Sequence, residues 1–146
     1  MTSFTNTIVI QRPIEEVFGV LTNVENTGKW FPANVEEHWT SPPPHGVGST
    51  RRAAVTMLGR RTENDAVATV FEPPHRAAMQ GTSPNAAFLT TLTFQDDAGG
   101  TRVYVETGFT FRGTQRLVGR LFAGWYRRAW DRGLENLKRM MESGEL

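Results

Sequence analysis

The chain has 146 residues, a formal net charge of +1, no cysteine, and 38% apolar residues interleaved with charge. That length fits one domain, large enough to bury roughly two-thirds of its unfolded surface. The lack of cysteine excludes disulfides, thiolate metal sites and cysteine nucleophiles, and no apolar run approaches the roughly 20 residues of a membrane helix.

Residues Met1 to Asn6 contain no basic stretch followed by an apolar core, so no secretory signal is read and a cytoplasmic location is the expectation. Thr5 to Ile10 is a β-rich run that stops at Arg12-Pro13, which predicts a first strand. Pro13 suits a first helical position, and Ile14, Val17, Phe18 and Leu21 follow at the spacing of one helix face. Asn23 is placed to cap a second short helix carrying Val24, Trp30 and Phe31, which Pro32 ends. Val35 to Thr40 reads as a weak strand, and the three prolines of Ser41 to Gly46 exclude a central strand there.

Ser49 to Leu58, Arg61 to Phe71 and Arg76 to Gly81 read as strands, separated by Gly59 and by Pro73-Pro74. Phe88, Leu92 and Phe94 mark another strand. Asp96 to Gly100 is a hairpin loop, and Val103 to Phe111 alternates as a last strand. Six or seven strands joined mostly by short turns, with helices before and after them, predict an α+β fold with an antiparallel sheet.

Thr114 to Glu142 predicts one long helix. At 100° per residue, Val118, Phe122, Trp125, Tyr126, Ala129, Trp130, Leu137, Met140 and Met141 share one half of the wheel. Arginines dominate the other half. From Arg112 to Arg139 there are eight basic residues against two acidic ones, a net +6 that leaves −5 for the remainder. Such a run reads as a solvated face balanced by the acidic sheet and loops, and no nucleic-acid partner is expected. Leu117 and Leu121 fall on the charged half, so either a bend at Gly119 or Gly124 turns them inward or they form an exposed apolar spot. A helix of about 28 residues spans roughly 40 Å. Laid across a curved sheet, it is expected to leave a concave apolar gap of the kind that binds small molecules.

This order of elements resembles the helix-grip fold of the START and Bet v 1-like superfamily, within which it is similar to the polyketide cyclase/dehydrase and lipid-transport group. The resemblance rests on Pro13-Ile14-Glu15-Glu16-Val17-Phe18 as an opening helix, Lys29-Trp30-Phe31 as a second helix, and Gly46-Val47-Gly48-Ser49 as a turn into the third strand. It continues in Phe71-Glu72-Pro73-Pro74-His75-Arg76, Gly99-Gly100-Thr101-Arg102-Val103 and Leu134-Glu135-Asn136-Leu137-Lys138, and so covers almost the whole chain. These are turns, caps and packing positions, and they carry no chemistry. The resemblance implies a single helix-grip ligand-binding domain over residues 1–146, with an apolar cavity between sheet and long helix. It does not imply an enzyme, because this fold hosts many functions.

Candidate cavity residues are Trp30, Phe31, Met57, Met79, Phe88, Leu92, Phe109, Phe122, Trp125 and Tyr126, whose aromatic and thioether side chains adapt to varied apolar ligands. Val55 and Arg51 join them by strand parity. Arg51 is either a surface residue at a strand end or a guanidinium at the cavity mouth, able to pair a ligand carboxylate or phenolate bidentately. Glu106 is expected to face solvent, whereas Asp65 shares parity with Val67 and has either orientation open.

His38, His45 and His75 lack metal-pair spacing, no serine sits in a nucleophile elbow, and Gly99-Gly100 is a hairpin rather than a phosphate loop. No metal, no cofactor and no catalytic set is read. The leading expectation is a binding protein for a small hydrophobic or amphipathic molecule. The alternative is a polyketide aromatase/cyclase drawing an acid/base group from Arg51, Tyr126, His75 or Asp65. A third class is an interaction module presenting the basic helix face to anionic lipid or protein, and a homodimer stays open.

Overall fold

A computed structural model describes residues 2–57, 59–113 and 115–146, without the side chains of residues 34, 57 and 115. Strand β1 (Thr2–Ile10) leads into helix α1 (Ile14–Thr22), a 3-10 turn (Val24–Asn26) and the one-turn helix α2 (Thr27–Trp30). Strands β2 (Asn34–Trp39), β3 (Thr50–Met57), β4 (Arg60–Glu72), β5 (Arg76–Ser83), β6 (Ala86–Asp97) and β7 (Gly100–Phe111) follow in succession. Helix α3 (Gln115–Glu142) comes last.

All neighbouring strands are antiparallel, in the order β1-β7-β6-β5-β4-β3-β2. The meander from β2 to β7 is a chain of local hairpins, and β1 closes onto its far side. One two-residue turn joins Asp97 to its partner Gly100 through Ala98 and Gly99, both at positive φ, as a type I′ hairpin loop requires. In β4 the register shifts between Ala68 and Val70, a bulge that bends the strand and changes which residues face inward beyond it. The expected second helix divides in two: the Asn23 side chain caps the 3-10 turn by accepting from the Glu25 N–H, whereas α2 follows Asn26 with no side-chain cap.

Helix α3 runs unbroken past Gly119 and Gly124, and its two halves sit in different surroundings. In the C-terminal half, Ala129, Leu134, Leu137 and Met141 are at most 1% exposed, and they share a core with Ile10, Val17, Phe94, Val103 and Val105. Burying a leucine or methionine side chain contributes about 1.5–3 kcal/mol. Polar bonds fix the same seat: Lys138 Nζ donates to the Val9 carbonyl at 2.9 Å, and Arg12 Nε to the Met141 carbonyl at 2.9 Å. The Gln11 N–H donates to Glu142 at 2.8 Å.

The N-terminal half lacks such a layer. Leu117 is 87% exposed, Leu121 76% and Val118 48%. Of the two outcomes open for Leu117 and Leu121, the exposed one holds. Val118 keeps its inward assignment: it lines the space between sheet and helix, and that open volume leaves it half exposed. The helix touches the sheet there through Gly119, where an added Cβ would lie 2.5 Å from the Phe111 ring, so only glycine permits the approach.

Unequal seating has a measurable consequence. Leu137→Ala is expected to cost about 2–5 kcal/mol in urea denaturation, whereas Leu121→Ala should stay within about 0.5 kcal/mol of the parent. Equal losses would mean that the N-terminal half is packed after all.

Candidate ligand cavity

Between the sheet and the N-terminal half of α3 lies a cavity of about 530 Å3, inside the roughly 300–1,000 Å3 range of small-molecule pockets. The strand pleat sends alternate residues into it. Val35, Glu37 and Trp39 come from β2, and Arg51, Ala53 and Val55 from β3. Met79, Phe88, Leu92 and Phe109 line it from β5, β6 and β7. Trp30 and Phe31 stand at the end of α2, and α3 supplies Phe122, Trp125 and Tyr126. Phe109 is the aromatic hub, its ring centroid 5.3 Å from Phe122 and 5.4 Å from Tyr126. The candidate residues thus meet around one space, except Met57, whose side chain lies outside the described residues.

One polar cluster interrupts this apolar wall. Arg51 is only 7% exposed, and its Nε lies 2.8 Å from Glu37 Oε2. That contact is an ion pair without hydrogen-bond alignment, which leaves the Nε–H with no hydrogen-bond acceptor. Nη1 donates to the Asn64 side-chain oxygen and, at 3.4 Å, to the Asn64 carbonyl. Register explains the meeting. Glu37, Ala53 and Asn64 form one row across three strands, and Trp39, Arg51 and Ala66 form the adjoining row. Arg51 therefore lies diagonal to both Glu37 and Asn64, within reach of a long side chain.

The row through Arg51 continues across the sheet as Ala66, Gly81 and Phe88. The two small residues between them let the guanidinium carbon sit 5.6 Å from the Phe88 ring centroid, a cation–π distance. A Cβ on Gly81 would stand 2.6 Å from the Phe88 ring and 2.3 Å from the Asp65 carbonyl oxygen.

Burial raises the Glu37 carboxyl above its ordinary range, and the opposing pull of Arg51 and of a Thr27 hydrogen bond does not cancel it. The Tyr126 phenol is pushed up to about 12, first by burial and then by the negative charge of Glu37. Tyr126 retains some accessible surface, but that surface belongs to the cavity, whose walls are deep enough to desolvate the hydroxyl.

Other candidates lie elsewhere. Asp65 faces outward and pairs with Arg52 at 2.9 Å, because the inward parity of β4 before the bulge belongs to Ala66 and Ala68. Glu106 is exposed, as are His38 and His75. His45 stacks on Trp39 with ring centroids 4.0 Å apart. Among the described residues, no three His, Asp or Glu side chains group as a metal site. Glu37, Asn64 and Thr27 were not singled out from the sequence. Glu37 alternates with Val35 and Trp39, so an acid on an apolar face was the available signal. Asn64 and Thr27 needed the register and the seating of α2.

Glu37 should titrate above the usual carboxylate value of about 4.3 when followed by carboxyl 13C NMR. The folded state then holds the proton more tightly than the unfolded one, so this group's contribution to stability falls as pH rises through the raised value. Arg51→Met should raise the value further and destabilise the fold by about 3–5 kcal/mol, by leaving an unpaired buried acid. A Glu37 titration unmoved by this substitution would contradict the pairing.

The chain matches the family model described as polyketide cyclase / dehydrase and lipid transport over residues 1–142. No curated protein matches it by sequence. Among solved structures, TTHA0849 from Thermus thermophilus superposes with a TM-score of 0.80 at 14% identity, covering 99% of this chain and 100% of that one. DynU16, from the dynemicin biosynthetic locus, gives 0.69 at 17% identity, covering 97% of this chain and 48% of that one. Ara h 8.0201 gives 0.64 at 11% identity, covering 93% and 97%. At these identities the structures establish the helix-grip fold alone. The family model reaches from β1 to the end of α3, and the chain belongs to the polyketide cyclase/dehydrase and lipid-transport family.

Proposed function

We propose that this chain binds a small hydrophobic or amphipathic molecule between the sheet and α3. The observation that carries this reading is an apolar, ligand-sized cavity with a few converging polar groups, the usual design of a small-molecule site. Aromatic side chains supply adaptable apolar contact, and the Arg51, Glu37 and Tyr126 end orients the polar part of the ligand. The family description, which includes lipid transport, supports the same reading.

Nile red, an uncharged apolar probe, should bind at one site per chain and perturb the fluorescence of Trp30 and Trp125. Val55→Phe and Leu92→Phe, which add bulk to opposite strands of the lining, should weaken the probe by roughly tenfold or more while the fold persists. Unchanged affinity in both variants would place the probe elsewhere and sink the reading.

A second reading, a polyketide cyclase, is favoured by one specific observation: a carboxyl of raised proton affinity shares the cavity with an arginine and a tyrosine. The biosynthetic locus of DynU16 points the same way. In this reading Glu37 takes a proton from a carbon beside a carbonyl, and Arg51 or Tyr126 donates to the resulting enolate oxygen. The enolate carbon then attacks a second carbonyl of the same chain and closes the ring, the proton held by Glu37 passes to the new alkoxide, and that hydroxyl leaves as water with a neighbouring C–H proton to form a carbon–carbon double bond. Glu37→Gln should slow turnover of a linear polyketone by about 10²–10⁴-fold. Undiminished turnover would remove Glu37 from the chemistry, and no turnover by the parent protein would remove the reading.

A further inference from the structure

The charges in the cavity determine what kind of polar end it accepts. Among the described residues its charged lining side chains are Glu37, Arg51 and Arg60. Arg60 is exposed beside the β3–β4 turn, where solvent screens it. Arg51 is the buried cation, and its charge is already met by Glu37 at 2.8 Å. An incoming anion would gain Arg51 only while standing beside the Glu37 carboxylate in desolvated surroundings, where like charges repel strongly. An uncharged oxygen meets no such penalty. Nη2 of Arg51 and the Tyr126 hydroxyl make no hydrogen bond among the described residues, and both side chains line the cavity. They are donors awaiting an acceptor.

We infer that the cavity selects uncharged molecules whose apolar body ends in a hydrogen-bond-accepting oxygen, such as a ketone, phenol or alcohol, and that Glu37 excludes the corresponding anions by holding the charge of Arg51. The inference rests on the binding reading above and narrows its ligand class. It also replaces the carboxylate or phenolate partner that the sequence suggested for Arg51, since the protein supplies that carboxylate itself.

The test titrates the protein at neutral pH with 2-acetylnaphthalene and with 2-naphthalenesulfonate, which share a ring body and differ in charge, using calorimetry. The ketone should bind at least about tenfold more tightly than the sulfonate. In Glu37→Gln the sulfonate should gain about tenfold relative to the ketone. The paired variant Glu37→Met/Arg51→Met replaces both charges with apolar bulk, a change that buried pairs often tolerate. It should reject the sulfonate again.

Equal binding of the two compounds by the parent protein overturns the inference, and so does a Glu37→Gln protein that gains nothing for the sulfonate. The parent comparison and the paired variant keep the test decisive should Glu37→Gln fail to fold. A sulfonate gain that vanishes when Arg60→Gln is added would put the anion at the rim and overturn the assignment to Arg51. Binding of neither compound, with Nile red also rejected, overturns the binding reading itself, which is distinguishable from loss of selectivity.

Discussion

The cavity depends on where α3 is fastened. Its C-terminal half is seated on β1 and β7 by fully buried side chains and by polar bonds to the first strand. A 28-residue helix is stiff, so fixing one half fixes the height at which the other half stands over the sheet. The N-terminal half then spans the lining of β2 to β6 without filling it. Gly119 against Phe111 provides a second support. Native interiors are otherwise close-packed, so an open volume between two such supports is a feature of the architecture rather than a packing defect.

Inside that volume, the ion pair is a poor way to gain stability. Desolvating two charges costs several kcal/mol per ion in real proteins, and the Coulombic gain often only balances it. What the pair supplies is definition. It fixes a polar end on an otherwise apolar wall, raises the proton affinity of Glu37, and through Glu37 helps hold the Tyr126 phenol protonated. Ala53, Ala66 and Gly81 make this possible by being small, since bulk at these sites would separate Arg51 from Glu37, Asn64 or Phe88.

Much of the architecture was readable because it is written in local signals. The period of α3, the Pro13 and Asn23 helix starts, and the turn at Ala98-Gly99 each encode an element within a few residues. Val55, Phe88 and Phe109 could be placed by pleat parity alone. The polar cluster could not, because it depends on pairing between strands. Glu37 meets Arg51 diagonally across one strand boundary, and Asn64 across the next. Asp65 shows the other side of this dependence: with Ala66 and Ala68 buried, parity turns it outward, and the bulge that separates it from Phe71 was invisible in the sequence. Val118 illustrates a different limit, since a helical wheel gives direction but not whether anything lies in that direction.

The strand order also sets a sequence of events during synthesis. β1 pairs only with β7, about a hundred residues later, and α3 follows β7. The β2-to-β6 meander that forms most of the wall can pair by short-range hairpins as it emerges, whereas closure of β1 against β7 and α3 is a long-range event. Until then the apolar inner face of the meander has no cover, and such surfaces are where nascent chains aggregate. Within the meander, the Val35 and Val55 faces of β2 and β3 are made first and wait longest for that cover. A small molecule that binds only the closed form draws the chain toward closure by mass action, so supply of the ligand and yield of folded protein become linked quantities.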